Sequence, residues 1–377
     1  MFLAVQEIKR AKVRFGLLTG AVGLLVFLIL FQQTLLTGLV KQFIGAVERQ
    51  SGEVLVYNDQ ARKNLEGSIV LPEQQSAIEA LATDSANGIV DASPLGEATF
   101  TVIAGGEDRD TVIFGYELGR PGEPTSLVEG RLPQTDGEAV ASEKDRDEGY
   151  DIGDVVRVQP DGVEITIVGI ARDINFSVSP VLFVNWPTYE SAKRTRNPDA
   201  QQILPSVMAI DVADGTDPAQ VAALINREVG GVQALTRQEA VDGAPGVSSV
   251  RTSFGVILGL FYLVVPLVTG LFFLIVTFQK ASALTLLRAI GAPVGMLVRG
   301  LLVQVVLVTG LGSLVAFGLY AGALQGVKNL GVRVEVMPAV TTTLIVLALA
   351  LLTSLVAIRR VLRIDPIAAT TGAGVHL

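Results

Sequence analysis

The 377-residue sequence has no cysteine, one tryptophan and one histidine. Without cysteine neither disulfides nor thiolate metal sites hold it together, whatever the redox state of its compartment. Stability must come from packing. The one histidine, His376, lies in the C-terminal tail. No G-x-x-x-x-G-K-[ST] run is present to cradle phosphates on backbone N–H groups, so the chain is not expected to be an enzyme that hydrolyses ATP.

Long apolar runs are what the sequence has in quantity. The first begins at Phe15, passes Phe31 and continues through Gln32, Gln33 and Thr34 to Val40. The others run from Phe254 to Phe278, from Leu297 to near Leu324, and from Ala339 to Ile358. Each reaches the ~20 residues that a ~30 Å hydrocarbon layer requires. A cleaved secretory signal would also begin with a basic front end and an apolar core. Here the core is too long, and no small-residue cleavage pattern precedes the amphipathic stretch from Lys41 to Gln50. Four transmembrane helices, one plus three, are expected, with a large domain between the first and second.

Charge sets the orientation. Lys9, Arg10, Lys12 and Arg14, the loop residues Lys280, Arg288 and Arg299, and the tail residues Arg359, Arg360 and Arg363 face only Glu7 and Asp365. The positive-inside rule places both termini in the cytoplasm. Residues 41–250 carry 16 lysines and arginines against 34 aspartates and glutamates. This acidic domain is expected outside, with Ser142 on the outer and Ser282 on the inner side of a cytoplasmic membrane. No nucleic-acid partner is expected.

The expected organisation is residues 1–47 as cytoplasmic N-terminus and first transmembrane or stalk helix, 48–250 as an extracytoplasmic domain, and 251–377 as three transmembrane helices with a cytoplasmic segment and tail. The external domain reads as mixed α/β. Pro72 opens a helix to Ala82, Asp217-Pro218 caps one that runs to about Glu228, and a third lies near Pro187 to Lys193. Strands are expected at Ala98 to Ala104, Thr111 to Phe114, Val155 to Val158, Val163 to Ile170, Val181 to Val184 and Val207 to Val212. Turns fall at Pro160-Asp161-Gly162 and between Gly119 and Pro124. Two small lobes are expected, with a boundary somewhere in residues 90–170.

The succession Gly130-Arg131-Leu132-Pro133, Gly137-Glu138-Ala139-Val140-Ala141-Ser142, Gly149, Gly153-Asp154-Val155-Val156 and Ile167-Val168-Gly169-Ile170 resembles the external core domain of MacB- and FtsX-like ABC permeases. The segment from Ala281 to Ala292 resembles their cytoplasmic loop, and Arg363-Ile364-Asp365-Pro366 their C-terminal signature. The resemblance implies a separate ATPase docked on the cytoplasmic loop and a second copy of the permease. In that loop Leu284, Leu287 and Ile290 fall at helical spacing with Arg288 displaced, and Gly291 and Pro293 end the pattern. These residues are candidates for ATPase coupling. Gly16 with Gly20, and Gly318 with Gly322, are small-xxx-small pairs that suit helix association, between copies or within one subunit.

Within this family the segments Phe15-Gly16-Leu17-Leu18, Phe31-Gln32-Gln33 and Glu53-Val54-Leu55-Val56-Tyr57 are most similar to the HrtB-type haem-efflux permeases. That similarity implies haem, or a comparable membrane-borne amphiphile, as substrate taken from membrane lipid, with no intrinsic cofactor. The outer half of the first helix carries a small, polar stripe, Thr34, Gly38, Lys41, Gly45 and Glu48, which could face a second subunit. With cysteine absent and His376 cytoplasmic, the commonest protein ligands of haem iron are missing from the outer leaflet. Ferric iron accepts hard oxygen donors. Glu48 is the first candidate as axial ligand, with Tyr262, Glu335 and Met337 behind it. Phe43 and Phe31 could contact a porphyrin face and Lys41 and Arg49 the propionates, and Gly45 of the stripe is a further candidate for the binding face. Pro266 followed by Gly270 is expected to weaken the second membrane helix. The runner-up reading is a mechanotransmission permease that acts on an extracytoplasmic lipoprotein, peptide or cell-wall hydrolase.

Overall fold

The computed structural model describes residues 11–279, 293–326 and 336–362. The chain divides into two compact units, one of Met1–Leu36 with Ser253–Leu377 and one of Thr37–Thr252.

The membrane unit contains the first part of α1 (Lys12–Glu48) and the three long helices that follow the external unit in the chain. At ~1.5 Å per residue, the 37 residues of α1 reach about 55 Å, well beyond a ~30 Å hydrocarbon core. The first helix is therefore longer than one membrane crossing requires.

In the external unit β1 (Val54–Asn58) is followed by α2 (Pro72–Ala82), β2 (Ile89–Ala104), β3 (Glu107–Tyr116), β4 (Leu127–Gly130), β5 (Glu138–Ser142), β6 (Val155–Val158), β7 (Glu164–Ala171) and β8 (Val181–Asn185). Then come α3 (Trp186–Arg196), β9 (Val207–Val212), α4 (Pro218–Glu228), β10 (Val232–Thr236) and α5 (Arg237–Gly243). The helices start where local chemistry says they should. Asp217 Oδ1 accepts from Ala219 N at 3.0 Å ahead of Pro218, and Asn185 Oδ1 accepts from Thr188 N at 3.1 Å ahead of Pro187. Thr236 and Glu239 form a capping box on α5.

The strands pair in the order β10-β1-β9-β2-β3-β8-β5-β7-β4, and β6 bridges β2 and β7. The pairings β2-β3-β8-β5-β7-β6-β2 therefore close on themselves as a small barrel. Its core includes Phe100, Val102, Tyr150, Val156, Ile165 and Leu182. A second core lies where β1, β9, β10 and the first part of β2 meet α2 and α4, with Val56, Ile78, Ile89, Ile210 and Ile225. In place of two lobes joined at a boundary, one sheet carries two cores, and β2 belongs to both.

β2 is longer than the sequence pattern indicates. Ile89 to Leu95 pairs with β9 and Leu95 to Ala104 with β3, so the strand passes through Pro94 and Gly96, residues that locally read as breakers. Ser142, expected on the outer side, is 1% exposed and donates to Asn175 Oδ1 at 3.1 Å. It is a core position of the external unit and unsuitable as a surface probe.

The remaining membrane helices are α6 (Val247–Gln279), α7 (Val294–Gly326) and α8 (Val336–Leu362), which with α1 give four segments long and apolar enough to cross a membrane. α6 is continuous through Pro266. The four pack around Val22, Ile29, Val265, Phe273, Val305 and Val346. Gly23 and Gly312 bring α1 against α7: a Cβ at Gly23 would lie 2.9 Å from the Gly312 carbonyl oxygen. This close approach is the device expected of glycine in lipid-embedded helices, made by a pair other than those read from the sequence.

Candidate functional site

Polar side chains inside the membrane unit tie its four helices together. Gln33 of α1 donates from Nε2 to Tyr262 Oη of α6 at 3.4 Å, and its Oε1 accepts from Thr342 Oγ1 of α8 at 3.0 Å. Thr34 Oγ1 lies 2.6 Å from Tyr320 Oη of α7, and Gln32 Nε2 donates to the Phe254 carbonyl at 2.8 Å. Water cannot satisfy these groups within hydrocarbon, so mutual hydrogen bonding fixes the register of the bundle at this level. Tyr262, a runner-up ligand, is half-buried and accepts from Gln33, and Met337 is exposed on α8.

In the external unit, the end of α1 is gripped by residues 173–178. Ala46 N donates to the Asn175 carbonyl at 3.1 Å, Ser177 N to the Phe43 carbonyl at 3.0 Å and Val178 N to the Gln42 carbonyl at 3.0 Å. Gly45 makes the contact possible, because a Cβ there would overlap the Asp173 carbonyl oxygen. Lys41 Nζ forms an ion pair with Asp173 Oδ2 at 3.2 Å. The loop is anchored in turn to the barrel: Asn175 Nδ2 donates to Asp145 Oδ2 at 2.9 Å, and Phe176 packs edge-on against Phe114. Burial pushes the Asp145 carboxyl up to about 6.

Of the stripe on α1, Gly45 and Lys41 thus face a loop of their own chain. Gly38 is buried, Thr34 bonds within the membrane unit, and Phe43 and Glu48 are half-buried. Glu48 is the last residue of α1, and its carboxylate forms no hydrogen bond or ion pair among the described residues. A carboxylate in the last helical turn opposes the helix dipole. No basic residue in that turn offsets it. The coupling candidates Leu284, Leu287, Arg288, Ile290 and Gly291 lie outside the described residues, as do Glu335, His376 and Arg363-Ile364-Asp365-Pro366. Sequence reasoning missed the 173–178 clasp. Its one local signal is a glycine inside an otherwise regular helix, which marks a close approach without saying by what.

The sequence profile of the MacB-like periplasmic core domain matches residues 16–228, and that of the FtsX-like permease C-terminal region matches residues 255–366. The chain belongs to the MacB/FtsX-like family of ABC transporter permeases. This permease is 24% identical over 375 residues to a protein of Staphylococcus haemolyticus whose provisional name is hemin transport system permease protein HrtB, with 99% of each chain covered. It is 27% identical over 376 residues to an uncharacterized ABC transporter permease of Mycobacterium bovis, again with 99% of each covered. The periplasmic region of MacB from Actinobacillus actinomycetemcomitans aligns at 12% identity and a TM-score of 0.35, over 51% of this chain and 91% of its own. The permease is a membrane protein with an external domain, and its family implies a partner ATPase.

Proposed function

We propose that this permease is the membrane subunit of an ABC-type efflux pump that takes haem, or a similar membrane-borne amphiphile, from the outer leaflet, driven by a separate ATPase. The observation that carries the reading is the full-length similarity to a protein named for hemin transport. The unpartnered carboxylate of Glu48 supports it, since ferric iron takes hard oxygen ligands and the chain offers no cysteine and no second histidine. In this reading Glu48 is the axial ligand, Phe43 lies against the porphyrin, and Lys41 answers a propionate by exchanging its Asp173 partner. Gly45 serves by keeping the stalk end close to its loop. A titration of the purified protein with haem tests the substrate: a stoichiometric, saturable Soret shift is expected, and its absence would remove haem from consideration.

The clasp favours a second reading. A stalk fastened to the external barrel through residues 173–178 suits mechanical transmission to an extracytoplasmic partner, and such a permease would show no haem titration.

The permease itself hydrolyses no ATP in this proposal, and the partner binds the cytoplasmic segment around Leu287 and Arg288. Leu287→Asp is expected to abolish copurification of the ATPase while the permease still inserts. A variant that retains the complex would move the docking site elsewhere. A second copy completes the pump. Gly16, Gly20, Gly318 and Gly322 have no neighbouring atom within 4 Å of a Cβ built on them, so they are open to another helix.

Both termini lie in the cytoplasm in this proposal, which the basic residues near the spans support, Lys12, Arg14 and Arg299 among them. Ser76, exposed on α2, replaces Ser142 as the outer probe. Ser76→Cys is expected to react with an impermeant maleimide in intact cells and Ser282→Cys only after lysis; the reverse pattern would invert the topology.

A further inference from the structure

A cleft of about 460 Å³ opens in the external unit beside α3, with Glu66, Ser68, Glu97, Lys193, Arg196 and Ser206 among its lining residues. Its floor is built with care for one residue. Gly96 and Gly115 are register partners across β2 and β3. The Tyr189 ring occupies the space that side chains at both positions would fill. From there Tyr189 Oη donates to the Glu97 carbonyl at 3.0 Å, while Glu97 N donates to Ser206 Oγ at 3.0 Å. The Glu97 backbone is thereby fixed. The residue is 5% exposed, and its Oε1 is buried without a hydrogen-bond partner.

An ionisable group buried without a partner costs stability. Burial pushes the Glu97 carboxyl up to about 7, with Glu66 adding to the rise and Lys193 opposing it. Lys193 is itself partly buried, which lowers its ammonium below the ordinary range. The helix dipole accounts for basic residues in the last turn of α3, but not for a buried carboxylate in the same cleft with which they form no ion pair. Arg196 donates to the Thr99 carbonyl at 2.7 Å, and Lys193 lies over the Tyr189 ring. One buried acid and two cations thus share a cleft, within the size range of small-molecule sites, without an ion pair between them.

We propose that this cleft binds a small zwitterion of the amino-acid or dipeptide type, with its ammonium group received by Glu97 at the floor and its carboxylate by Lys193 and Arg196 at the rim. Such a ligand bridges an acid and two cations that line one cleft without pairing with one another. Its uptake requires the ionised form of Glu97, so binding near neutrality releases a proton. Glu66 and Lys193 act on the carboxyl, the Tyr189 hydroxyl feels it, and Arg196 lines the same cleft. The site is independent of the haem reading.

Calorimetry on the full-length protein tests it, with glycylglycine as probe, N-acetylglycylglycine to remove the ammonium and glycylglycinamide to remove the carboxylate. Saturable binding of glycylglycine is expected, roughly tenfold tighter at pH 8 than at pH 6 for an acid that titrates near 7, with buffer-dependent heats that report proton release. Both comparators should bind at least tenfold more weakly. Glu97→Gln should abolish binding and its pH dependence, and Lys193→Met should weaken glycylglycine but not glycylglycinamide. Glu97→Gln should also fold. The wild-type carboxyl rises on folding from 4.5 to about 7, so it binds protons more tightly when folded and its stabilising contribution is lost as pH rises through that interval. The glutamine variant lacks this fall. No saturable binding at pH 8, equal binding of the comparators, or unchanged affinity in both Glu97→Gln and Lys193→Met would overturn the proposal.

Discussion

Glu48→Ala is expected to remove the Soret shift of the haem-loaded permease and weaken haem binding tenfold or more, which corresponds to at least ~1.4 kcal/mol, while the ATPase complex still assembles. Folding should hardly change, because a half-buried carboxylate without partners at a helix end contributes within about ±0.5 kcal/mol. Removal of its charge from the negative end of the dipole is, if anything, stabilising. Cells that carry the variant should become sensitive to added haem. Tyr262→Phe is the control: it deletes the hydroxyl that accepts from Gln33 at 3.4 Å and keeps the ring. A spectrum that changes in Tyr262→Phe but not in Glu48→Ala would move the ligand into the membrane unit and leave the substrate in place. Unchanged spectra in both would exclude both oxygen donors.

Gly45→Ala is expected to open the clasp between the stalk and its loop. The added Cβ overlaps the Asp173 carbonyl, and relief of that overlap requires giving up hydrogen bonds made by Ala46, Ser177 and Val178. Overpacking together with lost hydrogen bonds costs about 2–3 kcal/mol, on the order of a hundredfold in the local opening equilibrium. Hydrogen exchange at the Ser177 and Val178 amides should accelerate by that factor, whereas the amides of β1 and β10, which pair from Val54 to Asn58 away from the clasp, should keep their protection. Equal acceleration throughout would indicate global destabilisation. If transport stops while haem binding persists, the clasp transmits movement; if both persist, it is only structural.

The parts of the fold legible in the sequence are those whose signal is local. Four apolar runs mark the spans, and Pro72 and Asp217-Pro218 mark helices that begin where expected. β6 and β9 coincide with their apolar runs. What stayed hidden depends on partners far along the chain. β6 closes the barrel by pairing Val102 with Val158 and Ile103 with Arg157, a choice that nothing within those four residues dictates. β1 and β10 are five residues each and stabilise one another across the unit. The stripe on α1 shows the same limit in the site. Its small residues were visible, yet the sequence could not say whether a second subunit or the 173–178 loop would approach them. Glu97 sits in an ordinary strand sequence, and its burial arises from Tyr189 and Ser206, both about a hundred residues away.

β2 gives its first part to one core and its last part to the other. A chain break within Ile89–Ala104 would leave each half without one of its own walls, so neither half of the external unit is expected to fold when produced alone.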